Sequence, residues 1–263
     1  EIYTLSLHGR SSDLRIWPVA GLRGPVLSGS WCRRGRAFAA MLAVLALCGC
    51  VTTSEVPDDR FVRFFDELAF GSSVDGSKRD RLARWDGPLE YSVIGEHSFA
   101  DTVATVMAIT ARVADIEGGP QRLSEGGIEI RQEPAGATFP VNRDRTDCYV
   151  HYRRQGDRIV GAEIHIAATD PARMLRCLFH EAFHTMGMGH SGAIASVMSP
   201  FHEVGFPTHW DFMALRFLMS KDLSPGMPRA QVLTVLRREL PALRAAVAGR
   251  YSGKTRIYGE HKT

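Results

Sequence analysis

The stretch from His180 to His190, His-Glu-Ala-Phe-His-Thr-Met-Gly-Met-Gly-His, constrains the fold more than any other part of the chain. It fits the pattern H-E-x-x-H-x-x-G-x-x-H at every specified position. For a composition like this one, the first five positions arise by luck in roughly one chain in fifty, and the whole pattern in about one in fourteen thousand. The spacing has a chemical reason. Residues four apart on a helix stand one above the other, so His180 and His184 can aim two imidazoles at one metal ion. Glu181 stays off the metal and serves as general base toward the water that the metal activates. A third ligand requires the chain to turn back. Gly187 supplies the positive φ that ends the helix, and His190 returns as the third nitrogen, which leaves the fourth position open. The pattern therefore demands a helix through residue 186 and one Zn²⁺ per chain.

The segments before the motif read as an α/β layer arrangement. Asp58 to Phe70 sets Phe61, Phe64, Phe65 and Leu68 at helical spacing and reads as a short amphipathic helix. Leu89 to Ile94 reads as a strand, and Phe99 to Ile116 as a long helix stopped by Gly118-Gly119-Pro120. Strands are expected at Ile128 to Glu133, Cys148 to Arg153 and Arg158 to Ala167, the last two joined as a hairpin through Gln155-Gly156-Asp157. Asp170-Pro171 supplies the cap and first residue of the motif helix. Helices at Thr208 to Ser220 and Arg229 to Leu240 follow.

The beginning of the chain reads as an export leader. Residues 32–50 run from a basic stretch through the apolar Ala37 to Leu47 and end in Cys48-Gly49-Cys50, the order of a signal peptide. The apolar run is about half of the roughly 20 residues that a spanning helix needs. Leu47-Cys48-Gly49-Cys50 resembles a bacterial lipobox, which implies cleavage before Cys50, acylation of its thiol and attachment to a membrane. Val51 after the cysteine fits sorting to the outer membrane, facing the periplasm. The expected organisation is a leader at 1–49 (1–25 an over-extended reading frame, 26–49 the signal), then anchor, linker and short helix at 50–88. A zinc-site domain at 89–222 and a C-terminal helix with a basic tail at 223–263 complete it.

That division also changes the charge and cysteine arithmetic. The formal charge is +3, but Arg10, Arg15, Arg23, Arg33, Arg34 and Arg36 all lie in the leader, against Glu1 and Asp13 only. The remainder is near neutral, which gives nucleic-acid binding little electrostatic support. Without Cys32 and Cys48, and with Cys50 committed to lipid, Cys148 and Cys177 remain. An exported compartment permits a disulfide between them, the alternative being two buried free thiols.

The extended motif resembles the metzincin zinc endopeptidases, and Ser196-Val197-Met198-Ser199, eight residues beyond His190, supports the likeness. Metzincins carry a methionine turn beneath the metal, and Met198 stands in that place. The likeness covers roughly residues 89–220. It implies a twisted mixed sheet packed on a long helix and an active-site helix, with a small C-terminal helical part. It also implies a monomeric zinc peptidase acting on peptide or protein substrates. The Tyr that some metzincins place two residues after the methionine is Pro200 here, so oxyanion stabilisation must come from elsewhere. The lipobox, residues 65–71, Arg84-Trp85 and residues 223–227 together resemble a family of uncharacterised bacterial lipoproteins. Two other readings stand beside peptide hydrolysis in general: a non-catalytic envelope lipoprotein that zinc merely stabilises, and a hydrolase of cell-wall peptides. Among the remaining histidines, His151 and His165 are expected in packing or surface roles, while His202 and His209 are candidates for lining the cleft. Met186 and Met188 are expected as wall residues.

Overall fold

The computed structural model describes residues 4–5, 58–71, 78–137, 139, 147–200 and 204–252, with side chains from residue 58 to 246. Cys50, His202 and all of the expected leader except Thr4–Leu5 lie outside the described residues. The elements in chain order are β1 (Thr4–Leu5), α1 (Asp58–Phe70), β2 (Arg84–Trp85), β3 (Glu90–Ile94) and α2 (His97–Ala114). Next come β4 (Gln121–Arg122), β5 (Ile128–Gln132), β6 (Cys148–Gln155) and β7 (Arg158–Ile166). Three helices follow: α3 (Pro171–Met186), α4 (His209–Leu218) and α5 (Arg229–Ser252).

The described strands form one mixed sheet in the order β1-β6-β7-β5-β3-β4, with β2 also paired to β7. β7, β5, β3 and β4 run parallel, whereas β6 is antiparallel to β7 and to β1. Register decides which side chains share a face. Tyr152, Ala162 and Ile128 lie in one cross-strand row, and Val150, Ile164 and Ile130 in the next. All six are buried. α3 lies against β6 and β7, α2 against β3, and the two helices touch each other, so these rows are the helix-covered face. The intervening rows, Tyr149-His165-Arg131 and His151-Glu163-Glu129, form the other face and are partly or fully exposed. Alternation at period two thus separates core from solvent along each strand.

The expected α+β arrangement is present, with differences at its margins. Thr4–Leu5 pair with His151 and Val150, covering the edge of β6 whose backbone groups would otherwise be unpaired there. β2 and β4 are too short to leave a periodic signal. α2 begins at His97 and ends where Asp115 adopts a left-handed φ of 59°. α5 runs past Leu240 through Pro241. Proline removes one helical hydrogen bond, but buried Leu240 and Leu243 on either side of it keep the packing continuous across that position.

α1 belongs to the same compact unit as the described elements from β2 to α5. Its Phe61, Phe64, Phe65 and Leu68 are buried, and Phe65 meets Phe217 of α4 edge-on with ring centroids 5.0 Å apart. Asp66 holds Arg229 of α5 through two hydrogen bonds, at 2.7 and 2.5 Å. Between β6 and α3, Cys148 and Cys177 are joined as a disulfide with Cα atoms 5.7 Å apart.

Candidate metal centre

α3 is capped at both ends by the residues the sequence singles out. The Asp170 carboxylate accepts from the Arg173 backbone N–H at 2.9 Å, with Pro171 in the first turn. At the other end Gly187 takes φ 111°. A Cβ at that position would collide with the carbonyl oxygen of Ala83 and lie 2.9 Å from the Cα of Arg84. Two separate demands, backbone conformation and space, therefore select glycine. The last turn of α3 brings His180 and His184 together, and the chain beyond Gly187 returns His190 to them.

The three imidazoles converge through their Nε2 atoms, 2.9 Å between His184 and His180 and 3.2 Å between His190 and His180. All three residues are buried. The Nδ1 of His180 lies 2.8 Å from the Val197 carbonyl oxygen, and that of His184 lies 2.6 Å from the Met188 carbonyl oxygen. A carbonyl only accepts, so each Nδ1 carries the proton that it donates, and each Nε2 is left with its lone pair. Lone pairs facing each other at these distances repel unless a cation joins them. Three nitrogens about a tetrahedral ion at 2.0–2.1 Å would stand roughly 3.3 Å apart, close to the spacing found. The residues present fit a metal ion.

Glu181 is the second unusual feature. It is buried, its Oε2 has no hydrogen-bond partner, and burial pushes its carboxyl well above the ordinary range. A buried acceptor without a partner costs free energy, so this atom is suited to a polar ligand or a water held next to the histidines. Burial also holds His180 well below the usual histidine range, helped by the nearby His190. The neutral ring, the form that can bind a metal, is thereby favoured.

The turn beneath the cluster depends on Asp211, a fully buried carboxylate in the first turn of α4. Its oxygens accept from the Ser196 hydroxyl, the Val197 N–H at 3.2 Å, and the Thr208 N–H and hydroxyl at 2.7 and 2.8 Å. Burial raises its pKa while these hydrogen bonds oppose the rise. A continuous path results, in which Asp211 fixes the Val197 peptide and the Val197 carbonyl fixes the ring of His180. Met198 is buried, and its carbonyl accepts from the Ser191 N–H at 3.3 Å, tying the turn to the residue after His190.

Residues 58–238 match a family described as a protein of unknown function (DUF2927). The chain belongs to that family. Its span starts at the first residue of α1 and contains the whole histidine motif, the Met198 turn and Asp211. No curated protein matches the chain.

Other candidates fall elsewhere. His151 and His165 lie on the open face of the sheet, where His165 Nδ1 meets Glu133 at 2.7 Å. His209 packs against Trp210 with ring centroids 4.0 Å apart and the rings tilted by 44°, and does not join the cluster. Met186 and Met188 are buried beside the ligands, as wall residues would be. The sequence reading does not single out Glu67 of α1. Its Oε2 accepts from the Ser191 hydroxyl at 2.7 Å and from the Gly192 N–H at 3.3 Å. Glu67 and Ser191 are 124 positions apart, so no local pattern connects them.

Proposed function

We propose that this protein is a zinc-dependent peptide hydrolase, exported and held at the cell envelope by a lipid on Cys50. The observation that carries the reading is the convergence of three Nε2 atoms, together with a buried carboxylate oxygen without a hydrogen-bond partner on Glu181, the residue after His180. His180, His184 and His190 would hold the ion. Zinc bound there would supply a Lewis acid for the scissile carbonyl and lower the pKa of a water toward 7. Glu181 takes the proton from the attacking water at Oε2 and returns it to the nitrogen of the leaving amine. The carbonyls of Val197 and Met188 hold the His180 and His184 rings in the required tautomer, and the burial of the cluster keeps bulk water from competing.

The metzincin likeness of the sequence supports this reading through the glycine turn at Gly187, the third histidine and the methionine of the turn at Met198. A site in which zinc is purely structural usually takes all four ligands from the protein. Among the described residues the cluster has three donors, which favours catalysis over the structural reading. Among the described residues no helix is long and apolar enough to cross a membrane, so attachment would depend on the acyl chains. Cell-wall peptides and protein substrates present the same scissile amide.

The decisive experiment is Glu181→Ala, assayed for zinc content and for cleavage of a broad peptide library. Zinc should remain near one ion per chain while turnover falls by about 10²–10⁴. Undiminished cleavage would overturn the assignment.

A further inference from the structure

We propose that Glu67 is a positioning residue for the third metal ligand, with α1 acting as a clasp on the turn that carries His190. The proposal rests on the metal reading of the histidine cluster and extends it to a helix more than a hundred residues away in sequence.

Four hydrogen bonds carry the argument. On the N-terminal side of His190, the Gly189 N–H donates to the Leu68 carbonyl of α1 at 2.6 Å. On the other side, the Ser191 hydroxyl and the Gly192 N–H both donate to Glu67 Oε2, at 2.7 and 3.3 Å. Arg60, two turns earlier on α1, donates from Nε to the Ala193 carbonyl at 2.8 Å. Residues on both sides of His190 are therefore fixed by one helix. His180 and His184 have the rigid frame of α3 beneath them, whereas His190 lies on irregular chain after a glycine. Such a segment lacks a hydrogen-bond ladder of its own. α1 supplies the missing partners.

Glu67 is suited to this role by charge and by setting. Its Oε1 is held by Arg63 Nε at 3.0 Å, which leaves Oε2 to accept from the turn. Charge-assisted bonds of this kind are stronger than neutral ones and fix geometry more tightly. Ser191 is fully buried, so its hydroxyl has no water to fall back on. α1 itself is anchored by Phe61, Phe64, Phe65 and Leu68, independently of Glu67. Loss of the carboxylate should therefore loosen the turn without undocking the helix. Partners outside the ligand set that orient ligands commonly contribute 10- to 100-fold to metal affinity.

The test measures Zn²⁺ affinity of the purified chain by competition with a chromophoric chelator, for wild type, Glu67→Ala, Glu67→Gln and Ser191→Ala, together with the visible spectrum of each Co²⁺-loaded form. Glu67→Ala should bind Zn²⁺ at least about tenfold more weakly and give a weakened, shifted Co²⁺ spectrum. Ser191→Ala should lose a smaller part of the affinity. Glu67→Gln, whose amide oxygen still accepts from Ser191 and Gly192, should stay within about threefold of wild type. A purely structural contact would lower the urea midpoints of the metal-free and loaded forms equally and leave affinity unchanged. Wild-type affinity and spectrum in Glu67→Ala would overturn the proposal, as would wild-type affinity in Ser191→Ala if Glu67→Ala fails to fold. A wild-type chain that binds no Zn²⁺ would instead overturn the metal reading, and this inference with it.

Discussion

Two clusters of rings, each containing histidine, occupy opposite faces of the same sheet, and only one of them has the construction of a metal site. His180, His184 and His190 belong to α3 and the turn after it, on the helix-covered side. His165 lies on the open side, stacked on Tyr149 with centroids 5.6 Å apart and next to Phe139. Neither of these neighbouring rings has a nitrogen lone pair, so they bring no further donor to His165. The ring of His184 stands at 89° to His180 and 86° to His190, which lets the Nε2 atoms meet. The partners differ as well. Carbonyl oxygens fix the protonated nitrogen of His180 and His184, whereas His165 faces the part-exposed carboxylate of Glu133. What distinguishes the clustered histidines is thus the carbonyl behind His180 and His184 and the convergence of the three Nε2 atoms.

The strongest way to break this contrast is to remove one histidine from each cluster. His180→Ala should take bound metal from about one ion per chain to none, while His165→Ala should leave metal content unchanged, as measured by elemental analysis. Metal loss in both variants would show that the open face participates.

The disulfide ties β6, the strand that carries Tyr149, to α3, with Cys177 three residues before His180. It spans 29 residues of sequence, so replacing both cysteines by serine should lower stability by about 3 kcal/mol, read from urea unfolding. Metal content should survive if the two clusters are independent. A collapse in metal affinity would show that the bridge positions α3.

A smaller effect sharpens the role of burial. Burial raises the pKa of Asp211, so above the ordinary aspartate range, about 3.9, the folded state binds more protons than the unfolded state. Stability of the metal-free protein should therefore fall as pH rises from about 4, with a contribution of at most about 1.4 kcal/mol per pH unit. Asp211→Asn should remove that contribution, measured as the urea midpoint against pH. An unchanged slope would show that the Asp211 hydrogen bonds outweigh its burial.

Much of the centre was legible in the sequence because it is local. His180, Glu181, His184, Gly187 and His190 lie within eleven residues, where helical geometry and one glycine decide the outcome. The Thr208–Asp211 capping box is likewise visible as residues three apart. What Asp211 also does, holding Val197 and through it His180, was not legible, because the contact joins a helix start to a turn fourteen residues away. β2 and β4 escaped notice for a related reason, since two residues carry no period and exist as strands only where a neighbour supplies the ladder.

By itself the sequence determined the three converging histidines, the carboxylate next to the first of them, the turn that brings the third histidine back, and the alternation that sorts the strands into two faces. These follow from short-range periodicity and from donor chemistry. The tertiary structure decided which nitrogen each of His180 and His184 presents, why His165 stays outside the cluster, and that α1 clasps the turn around His190. Each of those depends on backbone carbonyls and carboxylates brought together from distant positions, and long-range packing of that kind leaves no pattern along the chain.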